Sequence, residues 1–111
     1  MNVSAKETGK SSTIIKVEIE KMLGYEAEDF QKLVLDAFDK GNKLVVVDLT
    51  KVKFISSWGI GALMYGLTTA KNRNAKFRIA GASENIRDTF SKIKIDTILE
   101  IYNTVDEAIN N

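Results

Sequence analysis

Residues Lys43 to Leu49 run through Leu44, Val45, Val46 and Val47 with almost no polar break, between two stretches whose apolar residues recur at helical spacing. A strand of that composition has no solvent face. It needs helices over both sides of its sheet, and the architecture that supplies them is a largely parallel α/β sheet with helical crossovers. Lys43 to Leu49 is therefore predicted to be the central strand, and the rest of the chain is read against it.

Upstream, Phe30, Leu33, Val34, Ala37 and Phe38 share one face of a helix over Glu26 to Lys40, with acids in its first turn and Gly41 as its stop. Downstream, a polar turn at Thr50 and Lys51 leads to Val52, Phe54 and Ile55. Ser57 then stands where it can cap a helix carrying Ile60, Leu63, Met64 and Leu67 inward. The unit recurs with a strand at Lys76 to Ala80, a turn at Gly81 and Ala82, and a Ser83 cap on a helix with Ile86, Phe90 and Ile93 inward. Ile98 to Tyr102 reads as a last strand, and Thr104 with Glu107 as a capping box opening a terminal helix through Ile109.

At the other end, Ile15, Val17 and Ile19 alternate with Lys16 and Glu18, the pattern of an outer or half-covered strand over Thr13 to Ile19. Residues 2 to 8 form a weaker candidate strand before it, with Gly9, Lys10 and Ser11 at the turn. The expectation is α/β: one domain over 1–111, residues 1–12 forming an edge strand and turn. Its mostly parallel central sheet has four to five strands and about four helices. Crossovers should be right-handed, with antiparallel pairing confined to the N-terminal strands.

Composition narrows the function. The 111 residues, 44% hydrophobic, fill one core. Sixteen basic against 15 acidic residues leave a charge of +1, so nucleic acid and anionic membranes are not expected partners. Cysteine and histidine are both absent, which removes disulfides, thiol nucleophiles, most zinc sites and the usual neutral-pH general base. The expectation is a protein without metal or cofactor that is not an enzyme. Residues 1–12 carry no apolar signal core and no run approaches the roughly 20 apolar residues of a membrane helix, so a soluble, cytoplasmic protein is expected.

The stretch Asp48-Leu49-Thr50-Lys51-Val52-Lys53-Phe54-Ile55-Ser56-Ser57-Trp58-Gly59-Ile60-Gly61-Ala62-Leu63 resembles the signature of STAS domains of the anti-sigma factor antagonist type. There, a buried strand leads through a hydrophobic loop to an Asp-Ser-Ser/Thr-Gly-Leu-Gly helix start. The order of elements on both sides is also similar, so the resemblance covers nearly the whole chain. It implies an anti-sigma factor or related serine kinase-like regulator as partner and Ser57 as the serine that such a partner phosphorylates. The implied docking surface comprises Leu23, Tyr25, Lys53, Ser56, Ser57, Trp58, Gly59, Ile60 and Ser83, on a monomer or weak dimer. The chain departs from the pattern at Ser56, where the family has Asp, at Leu23, aligned with the Asp before the first helix, and at Trp58, which replaces a small hydroxyl residue.

Elementary chemistry sets the terms for these residues. A hydroxyl at a helix N-terminus faces unpaired amides, so a phosphate there is locally tolerated while it charges a surface that docking must desolvate. A serine pair at a helix start is otherwise an ordinary cap. Trp58 is either an aromatic anchor for a partner or a side chain packed under a neighbouring loop. Asp48 ends the central strand, where functional loops at Met22–Tyr25, Thr50–Trp58 and Gly81–Glu84 are expected to gather. Its simplest role is to satisfy loop amides. Glycines 59, 61 and 66 fit neither a dinucleotide nor a P-loop fingerprint and read as close helix packing. Lys51 and Lys53 lie where they can steer an acidic partner. Two alternatives to the switch remain: a constitutive, non-phosphorylated STAS subunit of a signalling or lipid-transport complex, which the missing acids favour, and a small-ligand or nucleotide sensor at the strand ends.

Overall fold

The computed structural model describes residues 2–111. Its principal sheet has five strands in the order β1 (Val3–Glu7), β2 (Ser12–Val17), β4 (Leu44–Asp48), β6 (Lys76–Ala80) and β7 (Glu100–Tyr102). Only β1 and β2 pair antiparallel, Val3 opposite Val17 and Glu7 opposite Thr13; the other pairs are parallel. The connecting turn takes Gly9 and Ser11 through positive φ. The Val-rich strand is central, as its apolar run requires, and the four helices are α1 (Ala27–Asp39), α2 (Ser57–Asn72), α3 (Glu84–Lys92) and α4 (Val105–Asn110). A second, two-stranded parallel sheet joins β3 (Lys21–Met22) to β5 (Phe54–Ile55).

The two faces of the main sheet are covered unequally. On one, Phe30 and Val34 of α1, Leu63 and Leu67 of α2, and Ile86 and Phe90 of α3 pack with Ile15, Val17, Val45, Val47, Phe77 and Ile79. Each fully buried phenylalanine or leucine contributes about 2–3 kcal/mol to this layer. On the other, Val46, Ala80 and Ala108 form a small cluster rimmed by Leu44, Tyr102, Val105 and Ile109. The helix α1 stops as its sequence predicts: Gly41 takes φ +93°, and the Asn42 amide returns to the Ala37 carbonyl at 3.2 Å. At Gly66 a methyl group would collide with the Phe77 ring, so α2 lies hard against β6 there.

Four expectations need correction. Ser56, not Ser57, caps α2, and Ser57 is its first helical residue. Ile60 and Met64 are only half-buried; Gly59, Ala62, Gly66 and Ala70 share the inward face with Leu63 and Leu67. Ile93 is 50% exposed, because α3 ends at Lys92 and Lys94 turns the chain through a left-handed φ of +64°, breaking the helical phase. The last strand begins at Glu100 rather than Ile98, since a 3₁₀ turn over Ile95–Thr97 occupies the preceding residues and leaves Leu99 as the buried side chain.

Arg78 is a buried charge with no counterpart in the sequence reading. It sits on β6 at 6% exposure. Its Nε donates to Glu100 Oε1 at 3.0 Å, Nη1 to the Ala108 carbonyl at 2.8 Å and Nη2 to the Asn111 carbonyl at 3.3 Å. The guanidinium also lies 5.2 Å from the Tyr102 ring centroid. Carbonyls at the end of α4 thus find a cation, and a six-residue helix too short to be stable alone is held on the sheet.

Candidate functional site

The start of α2 is built by the small β3–β5 sheet. Lys21 pairs with Phe54 and Met22 with Ile55, and the Lys53 and Phe54 amides donate to the Glu20 carbonyl at 2.7 and 3.0 Å. Ser56 completes the junction. Its backbone amide donates to the Met22 carbonyl at 3.0 Å, its hydroxyl to the same oxygen at 3.4 Å, and that hydroxyl accepts from the Gly59 amide at 3.3 Å. One serine therefore caps the helix and binds it to the preceding loop, which its half-buried position reflects.

With Ser56 occupied as the cap, Ser57 is exposed on the first helical turn. Trp58 next to it is 79% exposed and Tyr25 85%, while Phe54 is 48% exposed. Trp58 is thus not packed away under a loop. Its Cβ does abut Gly24, where a side chain would collide and where φ is +101°, so the turn before α1 passes directly over the base of the indole. Leu23 in that turn is half-buried. Gly59 is buried with the Met22 carbonyl only 2.6 Å from where a Cβ would stand, whereas a Cβ on Gly61 would meet open space. Close packing explains Gly59 and Gly66 but not Gly61.

The sequence-predicted residues Leu23, Tyr25, Lys53, Ser56, Ser57, Trp58, Gly59 and Ile60 fall on or immediately around this junction of the Met22–Tyr25 turn, β5 and α2. Ser83 is engaged elsewhere: it caps α3, its hydroxyl accepting from the Ile86 amide at 3.2 Å. The link from α3 to the site runs instead through Asn85, whose side-chain amide donates to the Lys53 carbonyl at 2.9 Å. Between α2 and α3 lies an apolar groove of about 530 Å³, lined by Phe54, Ile55, Ser56, Ser57, Ile60, Thr89 and Ile93. Phe54, Asn85, Thr89 and Ile93 are not among the residues that sequence reasoning assigned to the site. An aromatic residue within the Thr50–Trp58 loop was the available signal for Phe54; the other three depend on how α3 packs beside α2.

Charge around the junction is balanced. Lys53 pairs with Glu20 at 3.3 Å and Lys51 with Glu18 at 3.7 Å, all four side chains largely in solvent. No acid stands in the first turn of α2. Asp48 plays the structural role read for it, its Oδ1 accepting from the Thr50 amide at 3.0 Å and from the Thr50 hydroxyl. Among the described residues no group of three or more acidic, histidine or cysteine side chains is placed to hold a metal, and no helix is long and apolar enough to cross a membrane.

An α/β sheet of this order, with a capped helix presenting a serine beside exposed aromatics, defines a small domain whose distinctive chemistry lies on its surface. The family model of the STAS domain matches residues 3–108, and the chain belongs to that family. An 81-residue stretch is 28% identical to a candidate anti-sigma factor antagonist of Thermotoga maritima, covering 72% of each chain. Among solved structures, the anti-sigma factor antagonist SpoIIAA in its unphosphorylated form superposes with a TM-score of 0.81 at 14% identity, covering 97% of this chain and 93% of that one. A sulfate transporter family protein of Wolinella succinogenes gives 0.80 at 18% identity, covering 93% and 85%. Both likenesses establish the fold.

Proposed function

We propose that this STAS domain is an anti-sigma factor antagonist: a non-catalytic, cytoplasmic binding module. It docks onto an anti-sigma factor of the serine-kinase type through the start of α2, the Met22–Tyr25 turn and β5, and is switched by phosphorylation of Ser57. The observation that carries this reading is the exposed Ser57 hydroxyl at the first position of a 16-residue helix, set among the solvent-facing rings of Trp58, Tyr25 and Phe54. Aromatic side chains exposed together at one end of a small domain are the composition of an interface core, where a few such residues carry most of the binding energy. A phosphate on Ser57 adds nearly two negative charges to that surface. The positive end of the α2 dipole tolerates them, so the fold survives while desolvation of the charged patch opposes docking.

The likeness to relatives named as anti-sigma factor antagonists supports the choice of partner. The test is incubation with the kinase-type anti-sigma factors of the source organism and ATP, followed by intact-mass analysis and binding measurements. One phosphate adduct is expected on the wild type and none on Ser57→Ala, which keeps its affinity, while Ser57→Glu loses it. Binding unaffected by both Ser57→Glu and Trp58→Ala overturns the docking surface. A constitutive, unphosphorylated subunit is the second reading, favoured by Ser56 standing where the family carries Asp; it predicts the same binding without any adduct.

A further inference from the structure

The sheet face beneath α4 is only partly covered. This six-residue helix packs on β4, β6 and β7 and leaves the β1–β2 half of that face bare. A groove of about 380 Å³ runs there, bordered by Ser4, Lys6, Ile14, Lys16, Asp48 and Val105. Strand alternation accounts for the set. Ser4 pairs with Lys16, Lys6 with Ile14 and Lys16 with Asp48, so these side chains rise from one face of three adjacent strands. Lys6 and Lys16 are diagonal neighbours across the β1–β2 ladder.

The charged groups of the groove are left without protein partners in a specific way. Among the described residues neither Lys6 nor Lys16 joins an ion pair, whereas Glu18 at the groove's end is engaged by Lys51. Asp48 is only 8% exposed, and both of its hydrogen bonds, from the Thr50 amide and hydroxyl, fall on Oδ1. Its Oδ2 accepts none from the described residues, and Lys16, although registered beside it, forms no ion pair with it. Although the residue as a whole is largely buried, Oδ2 itself keeps contact with solvent on the groove side and is free to accept from a ligand there. The groove also lies at the carboxyl ends of β2 and β4, where open α/β sheets place their ligands.

We infer that this groove binds a small organic anion that also carries a hydroxyl or amine. The anionic group, a carboxylate or a phosphate, sits between the Lys6 and Lys16 ammonium groups. The hydroxyl or amine donates to Asp48 Oδ2, and the carbon skeleton lies against Ile14 and Val105. Two cations facing one free carboxylate oxygen select such a bifunctional ligand over a bare anion and over a cation. The site uses none of the residues assigned to partner docking, and it stands whether or not Ser57 is modified.

The test is amide-resolved NMR titration of the full chain with four probes: L-malate, succinate, glycerol 3-phosphate and inorganic phosphate. Malate or glycerol 3-phosphate, according to which anionic group is preferred, is expected to give saturable shifts at Lys6, Ile14, Lys16 and Val105. Its donor-free or bare counterpart, succinate or inorganic phosphate, is expected to bind more weakly. Lys6→Gln with Lys16→Gln, both at exposed positions, should leave the fold intact and weaken binding roughly tenfold. Shifts absent from these residues with all four probes, or unchanged in the double variant, overturn the site. Succinate binding as tightly as malate, together with phosphate as tightly as glycerol 3-phosphate, overturns the role of Asp48.

Discussion

Gly59 and Gly61 stand two residues apart on α2, and the same methyl group should move stability in opposite directions at the two sites. In Gly59→Ala the new Cβ would stand 2.6 Å from the Met22 carbonyl oxygen and 2.8 Å from Ile55 Cγ1. That carbonyl cannot retreat freely, because it accepts the Ser56 amide at 3.0 Å and so holds the cap of the helix. Overpacking of this kind costs about 1–3 kcal/mol, and weakening the Ser56 bond adds about 0.5–1 kcal/mol. Replacing a helical glycine returns about 0.5–1 kcal/mol, leaving a net loss of about 1–3 kcal/mol. In Gly61→Ala the methyl enters open space and only the helical gain remains, about 0.5–1 kcal/mol of added stability. Urea denaturation of the two variants should separate their midpoints by about 1 M, given slopes of about 1–3 kcal/mol per molar. Midpoints shifted in the same direction would refute the close contact between α2 and the Met22 loop.

Arg78→Met keeps the aliphatic stem but orphans the buried Ala108 carbonyl, so a loss of about 2–3 kcal/mol and faster hydrogen exchange over residues 105–110 are expected; an unchanged exchange rate there would show that α4 docks without the guanidinium. Trp58→Ala should alter thermal stability by less than about 1 kcal/mol, since the side chain is 79% exposed, yet weaken partner binding by about 2 kcal/mol, roughly 30-fold, as read by calorimetric titration. The opposite pattern, intact binding and a destabilised fold, would assign Trp58 to packing. Lys51→Gln with Lys53→Gln breaks two ion pairs that stand in solvent, and a melting curve should register no more than about 0.5 kcal/mol. Against an acidic partner the same double variant should slow association and flatten its salt dependence, measured by stopped flow.

Patterns that repeat over several residues were legible in the sequence. Val45, Val46 and Val47 located the central strand, because only burial on two faces suits such a run. The Phe30–Val34–Phe38 stripe with Gly41 located α1 and its end. What escaped was set by single contacts. The β3–β5 ladder has two rungs, too few to carry a period. Ser56 and Ser57 are chemically the same residue, and only the path of the chain from β5 decides which one caps α2. Ile93 and Ile98 look like core residues by composition, but a left-handed Lys94 and a 3₁₀ turn rotate them outward. Arg78 reads as one more surface cation until the end of α4 arrives to take its protons in hydrogen bonds. The start of α2 and the Met22–Tyr25 turn were legible as a unit because they lie in one family-like stretch and its neighbouring turn. The groove wall contributed by α3 was not, since it is assembled from distant sequence.

The two-rung ladder has a mechanical consequence. It splices the lead-in to α1 onto the lead-in to α2, so that the tyrosine of one turn and the serine of the other ride on a common mount rather than on two independent tethers. A protein that grips Tyr25 therefore also fixes the aim of Ser57, and a charge placed on Ser57 is felt by whatever holds the tyrosine. Under the proposed function, recognition and its veto would be delivered through the same few backbone bonds.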